Sequence, residues 1–227
     1  MYAMLGLCLD LAYAISVLSK FNATPEPCHL AAAKRILRYL KETKESALMY
    51  IKGSSKALSP LHGYTDSDWA GDVNDRKSTG GYVFLLQNGA ISWKARKQTT
   101  VTLSSTEAEY VAASEAAKEA IWLRCLFIEL DKDSNGARPT ESEFCLPPTL
   151  IYGDNQGSIK ITHNPQFYER TKHIDIKHHF IRTAYEDKHI ALEYTPTAEI
   201  TADILTKPLA RDLHEQHCHG MGLQLVG

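Results

Sequence analysis

Between residues 61 and 97 three apolar runs follow one another across short turns, and from about Ser105 to Leu130 a single helical stretch then runs uninterrupted. GYTDSDW, GGYVFLLQ and AISWKARK have the length and β-branched or aromatic content of strands, and QNGA supplies the Asn-Gly turn expected of a hairpin between the last two. Ser104 or Ser105 can cap the helix, and Glu107 and Glu109 fall in its first turns, where the helix dipole favours acids. DKDSNGARPTESEFCLPP reads as a polar loop, PTLIYGD as a fourth strand and NQGSIKITHN as a short helix. HIDIKHHFIRTAYED reads as a further helix, HIALEYTP as a last strand and AEITADILTKPLARDLHEQ as one or two closing helices. That order describes an α/β fold: a mixed five-stranded sheet flanked by helices.

A short helical segment precedes it. Leu9, Ala12, Tyr13, Ile15 and Leu18 form one apolar stripe, and Leu30, Ala33, Ile36, Leu37 and Leu40 form another, with a proline-bearing turn between. ALMYIKG reads as a short strand. A boundary near residue 55 gives a helical segment 1–55, an α/β domain 56–210 and a tail 211–227. The first eighteen residues are apolar, but Asp10 interrupts them and they are too short to span a membrane, so a buried helix is expected. The five cysteines are scattered with no CxxC pair. This suggests reduced thiols rather than a zinc knuckle or a disulfide framework. A formal net charge of −2 argues against a nucleic-acid partner, although basic residues cluster at 94–97 and again at 160–188.

Four acids stand in contexts that can aim them at one point: Asp66 in LHGYTDSDWAG, Glu109 in SSTEAEYVAAS, Asp154 in LIYGDNQGS and Asp203 in AEITADILTK. Carboxylates on rigid elements cage hard divalent cations, and paired Mg²⁺ ions so held can activate water and stabilise the leaving oxygen in phosphodiester cleavage. Each has a competing reading. Asp68 would share a strand face with Asp66. Glu107 and Glu109 lie about 200° apart on a helix and cannot serve one site together. Asp154 can equally be a helix N-cap, and Asp203 a solvated helix acid. His214 and Cys218 share a helical face, a weak zinc option, since zinc needs three or four convergent ligands.

The stretches GYTDSDWAGDVNDRKSTGGYVFLLQNGAISWKARKQTTVTLSSTEAEYVAASEA, DNQGSIKITHNP, ERTKHIDIKHHFIR and ADILTKPL resemble the ribonuclease H domain of copia-type long-terminal-repeat retrotransposon polyproteins. LDLAYAISVLSKF and HLAAAKRILRYLK are similar to the end of the preceding reverse transcriptase domain. The resemblance implies a ribonuclease H-like fold with Asp66, Glu109, Asp154 and Asp203 as catalytic and metal-binding residues. It implies two Mg²⁺ ions, with Mn²⁺ as a substitute: Asp66 between them, Glu109 and Asp154 on one, Asp203 on the other. The implied activity is hydrolysis of the RNA strand of RNA–DNA hybrids during reverse transcription, beside an upstream reverse transcriptase domain and away from any membrane. The implied setting is a cytoplasmic retrotransposon particle, or the nucleus.

Ser67, Ser105, Asn155 and Gln156, next to the acids, are the expected contacts to the hybrid, with Lys172 and His173 bordering its backbone. Cellular relatives often carry a mobile histidine before the last helix; EYTPTAEI has none, and His173 is the substitute considered. Trp93, Trp122, Tyr110, Val111, Ile121 and Leu123 are expected in the core. The rival readings are a DDE-type integrase-like nuclease and a catalytically silent truncated remnant.

Overall fold

The computed structural model describes residues 4, 6–51, 61–135, 147–163 and 175–226. Among these, the helices are α1 (Ala12–Ser19), α2 (Pro27–Glu42), α3 (Ser105–Asn135), α4 (Gln156–His163), α5 (Asp175–Glu186), α6 (Asp203–Thr206) and α7 (Arg211–Gly220). The strands are β1 (Ser46–Leu48), β2 (Leu61–Asp68), β3 (Thr79–Leu86), β4 (Gly89–Lys97), β5 (Thr149–Gly153), β6 (Ile190–Tyr194) and β7 (Leu223–Leu225). Five strands form one sheet in the order β4-β3-β2-β5-β6. β2, β3 and β4 pair antiparallel, while β2 with β5 and β5 with β6 pair parallel. The mixed five-stranded sheet flanked by helices is therefore present.

The two faces of β3 show how alternation builds two cores. Tyr82 and Phe84 point to one side and pack with Tyr110, Ala113, Ala116 and Ala117 of α3, Ile151 of β5 and Ile181 of α5. Val83 and Leu85 point to the other and pack with Leu9, Ala12, Ile204, Leu205, Cys218 and Met221. Residues from the N-terminal segment, the sheet and the C-terminal stretch thus share that second core. α3 lies close to the sheet because its facing residues are mostly alanine, whose small side chains allow backbone approach.

Several expectations need correction. The hairpin turn is centred on Gln87 and Asn88, both at positive φ, so Gly89 already opens β4. Glycine is required there for another reason: a Cβ would fall 2.5 Å from the Tyr50 ring. Trp122 is not core but 56% exposed, because it lies on the face of α3 turned from the sheet. Trp93 does pack against the second core, and its Nε1 donates to the Met4 carbonyl. Of the strand expected over residues 47–53, the described residues, which end at Ile51, form Ser46–Leu48, and it pairs with β7, a strand three residues long and too short to show any period. No residue of α2 is buried, despite its apolar stripe. Among the described residues no helix is long and apolar enough to cross a membrane.

Candidate metal centre

Strand pairing brings the first two carboxylates together. β2 and β5 run parallel with Tyr64 opposite Tyr152. Two residues further along each chain are Asp66, still on β2, and Asp154, just past β5. Glu109 enters from the first turns of α3, and the Ser67 N–H donates to its Oε1 at 3.2 Å. Asp66, Glu109 and Asp154 each offer an oxygen within 4.8 Å of the others.

Asp203 lies outside that group of three and reaches it from α6, on the face of the sheet opposite α3. Its helix, α6, approaches β3 so closely that a Cβ on Gly81, the residue paired with Asp66, would meet Leu205 and Thr206 at 2.9 Å. Glycine at 81 is what lets α6 seat there. Thr206 then donates its hydroxyl hydrogen bond to Asp66 Oδ2. Lys207 Nζ lies 3.0 Å from Asp203 Oδ1 and 3.5 Å from Asp66 Oδ1, tying the fourth acid to the trio. Asp154 accepts from Thr197 Oγ1 at 2.7 Å.

The electrostatics follow from packing like charges out of water. Burial, and then the charges of Asp66 and Asp154, hold the Glu109 carboxyl well above its ordinary range. Burial and Asp66 push Asp203 up to about 7, against the opposing pull of Lys207. Asp68 is raised by burial and then by Asp66. Burial disfavours the Lys207 charge, but Asp66, Asp203 and Asp154 outweigh it and hold the ammonium above its usual value. The donor set suits a hard divalent cation: the clustered trio offers carboxylate oxygen alone, with no His or Cys among it.

The competing acids separate cleanly. Asn155, not Asp154, caps α4, accepting from the Ser158 N–H at 2.9 Å, which leaves the Asp154 carboxylate to the cluster. Ser104 caps α3, and Glu107 turns back to accept from the Leu103 N–H at 2.6 Å. Asp68 folds over Gly71, where any side chain would collide with its carboxylate. Asp72 anchors the following loop, bound by Lys20 at 2.8 Å and Lys97 at 2.7 Å.

The expected hybrid contacts divide. Ser105 and Gln156 are exposed at the starts of α3 and α4, beside the acids. Ser67 is buried: its N–H serves Glu109 and its Oγ accepts from Gln98 Nε2, so it orients the site from within. Asn155 is occupied as a cap. Lys172 and His173 lie outside the described residues. At the C-terminal histidines, His214 Nδ1 and Cys218 Sγ are 3.6 Å apart. Burial lifts the Cys218 thiol to about 12, and among the described residues no third metal-binding side chain joins the pair.

Lys207, Thr206, Thr197 and Gln98 are the contributors that sequence reasoning missed. Lys207 had a signal, since it stands four residues after Asp203 on an expected helix and therefore on its face. Thr197, distant in sequence, had none.

No protein-family model matches the chain. It is 40% identical over 215 residues to the retrovirus-related Pol polyprotein from transposon TNT 1-94 of Nicotiana tabacum, covering 95% of this chain and 15% of that one. It is 50% identical over 123 residues to secreted RxLR effector protein 161 of Plasmopara viticola, covering 54% of this chain and 84% of that one. Among solved structures, the N-terminal RNase H domain of a Mycobacterium tuberculosis protein aligns with TM-score 0.45 and 12% identity, over 70% of this chain and 97% of that one. The chain spans 14–15% of the length of the first Pol relatives it matches. With 37–40% identity along 94–96% of its residues, the chain is homologous over nearly its whole length to one segment of retrovirus-related Pol polyproteins from transposons.

Proposed function

We propose that this chain is a metal-dependent nuclease of the ribonuclease H type, hydrolysing the RNA strand of RNA–DNA hybrids within a longer Pol polyprotein. The observation that carries the reading is the meeting of Asp66, Glu109 and Asp154 oxygens within 4.8 Å, with Asp203 joined to Asp66 through Lys207. Buried like charges at that spacing destabilise a fold, and a site that accepts the cost is a site for cations.

Divalent ions held by these oxygens, Mg²⁺ with Mn²⁺ as substitute, would supply an activated water and neutralise charge on the departing oxygen. The chain's own part is geometric. β2 and β5 fix Asp66 and Asp154 side by side, the Ser67 N–H holds Glu109 in orientation, and Thr206 holds Asp66. Fixed ligands of this kind remove the reorganisation that a solvent cage would need. Ser105 and Gln156 stand at the rim as polar groups able to meet the 2′-hydroxyls that distinguish RNA from DNA.

The test is cleavage of a labelled RNA–DNA hybrid by the purified chain, with Mg²⁺ and with chelator. Asp66→Asn keeps a hydrogen-bonding partner for Thr206 and is expected to lower Mg²⁺-dependent cleavage by about 10³-fold or more with the fold intact. Full activity in that variant, or cleavage that survives chelation, rejects the reading. Equal cleavage of the RNA strand and of a DNA duplex would instead favour a nuclease of another kind.

A further inference from the structure

We propose that the Lys207 ammonium is a tethered cation that keeps the carboxylates assembled before metal arrives and is then exchanged for it. The proposal rests on the nuclease reading of the site. Lys207 Nζ sits between Asp203 Oδ1, at 3.0 Å, and Asp66 Oδ1, at 3.5 Å, so it spans one acid carried by α6 and one carried by the sheet. Those acid side chains are 5% and 2% exposed, while the lysine is 30% exposed. The acids are fixed and the cation has room to leave.

The tether is short and well anchored. The Lys207 N–H donates to the Asp203 carbonyl at 3.1 Å, and Pro208 follows directly, so the backbone stays while the side chain moves. A lysine head is a compact point charge on a flexible stem, suited to stand where an ion will stand. The exit is also built. Lys207 lines a groove of about 600 Å³ with Tyr13, Val17, Ile204 and Leu209, along which its methylenes can lie while the ammonium turns to water. Asp68, two residues along the same face of β2, is a carboxylate beyond the clustered trio that can receive the displaced charge.

An ammonium and a divalent cation between the same oxygens repel, so removing the lysine charge should favour metal. Calorimetric Mg²⁺ titration of the metal-free full chain, without nucleic acid, reads this directly. Lys207→Gln is expected to bind Mg²⁺ about five-fold tighter or more, with Lys207→Arg close to the parent. Unchanged or weaker binding in Lys207→Gln overturns the proposal.

A measurement on the unaltered chain guards against a variant that fails to fold. Acylation of Lys207 by an amine-reactive ester, quantified by mass spectrometry, should be slow in chelator and about three-fold faster or more in Mg²⁺, with exposed Lys118 as reference. A rate that Mg²⁺ leaves unchanged overturns the proposal. If the parent chain takes up no Mg²⁺, the nuclease reading and this one fall together. If it binds Mg²⁺ and Asp66→Asn does not, while Lys207→Gln matches the parent, this one falls alone.

Discussion

α2 carries an apolar stripe in sequence and α3 an alanine-rich run, yet only α3 is buried. On α3, Ala108, Tyr110, Ala116, Ala117 and Ala120 are each at or below 1% exposure against the sheet. On α2 no residue is buried, and Leu30 and Leu37 stand 58% and 66% exposed. A helical period marks a face; what lies opposite decides whether that face is covered. α3 has a five-stranded sheet opposite it. α2 has one short helix and a groove, and is held by point contacts instead: the Glu26–His29 capping box, His29 stacked on Phe21, and the Tyr39 hydroxyl donating to Asp10 at 2.6 Å.

The sharpest way to break this contrast is at its covered side. Phe84→Ala removes a fully buried ring beneath α3 and is expected to cost about 3–5 kcal/mol in urea unfolding; a loss below about 1 kcal/mol would mean the interface is loose. Ala116→Leu asks whether the close approach of α3 is needed. With no exposure at that position, overpacking should cost about 1–3 kcal/mol on the same measurement.

A smaller effect comes from the acid pocket, the polar exception in the covered half. Asp203 is held at about 7, above its unfolded value near 3.9, and Glu109 is raised as well. Through that window the folded chain binds more protons than the unfolded chain, so metal-free stability falls as pH rises from about 4 to about 7 and then levels. Thermal melts in chelator should show this decline, and Mg²⁺ at pH 8 should reverse it. Asp72 opposes the trend at lower pH. Its hydrogen bonds from Lys20 and Lys97 hold it well below the usual carboxylate range, so its contribution is complete above about 4 and fades only as acid protonates it. The smallest effect belongs to Leu37→Ser on α2, expected to stay within about 0.5 kcal/mol of the parent. A larger loss would show that α2 is covered in solution.

The same contrast explains how much was legible beforehand. β2, β3, β4 and α3 announce themselves because two-sided or one-sided burial imposes a regular period on many residues. Asp66 and Asp154 could be singled out because each ends or follows such a run. Their meeting with Glu109, and the link from Asp66 through Lys207 to Asp203, depend on tertiary pairing, Tyr64 against Tyr152 and Asp66 against Gly81, which no local pattern encodes. The Gln87–Asn88 turn was misjudged by one residue because Gly89 answers to the Tyr50 ring and not to backbone conformation. Ser67 looked like a substrate contact only because its neighbour is an acid; its hydrogen bonds are internal.

The pairing of Ser46–Leu48 with Leu223–Leu225 has a consequence for the order in which this molecule can mature. A chain emerging from the ribosome exposes the first of these strands long before its mate is synthesised, and α6 with Asp203 emerges almost as late. Until then β1 has no partner strand, and Asp66 lacks Lys207 and Asp203 beside it. The strands that carry Asp66 and precede Asp154 are therefore synthesised before α6 can close onto β3 and bring Asp203 to them.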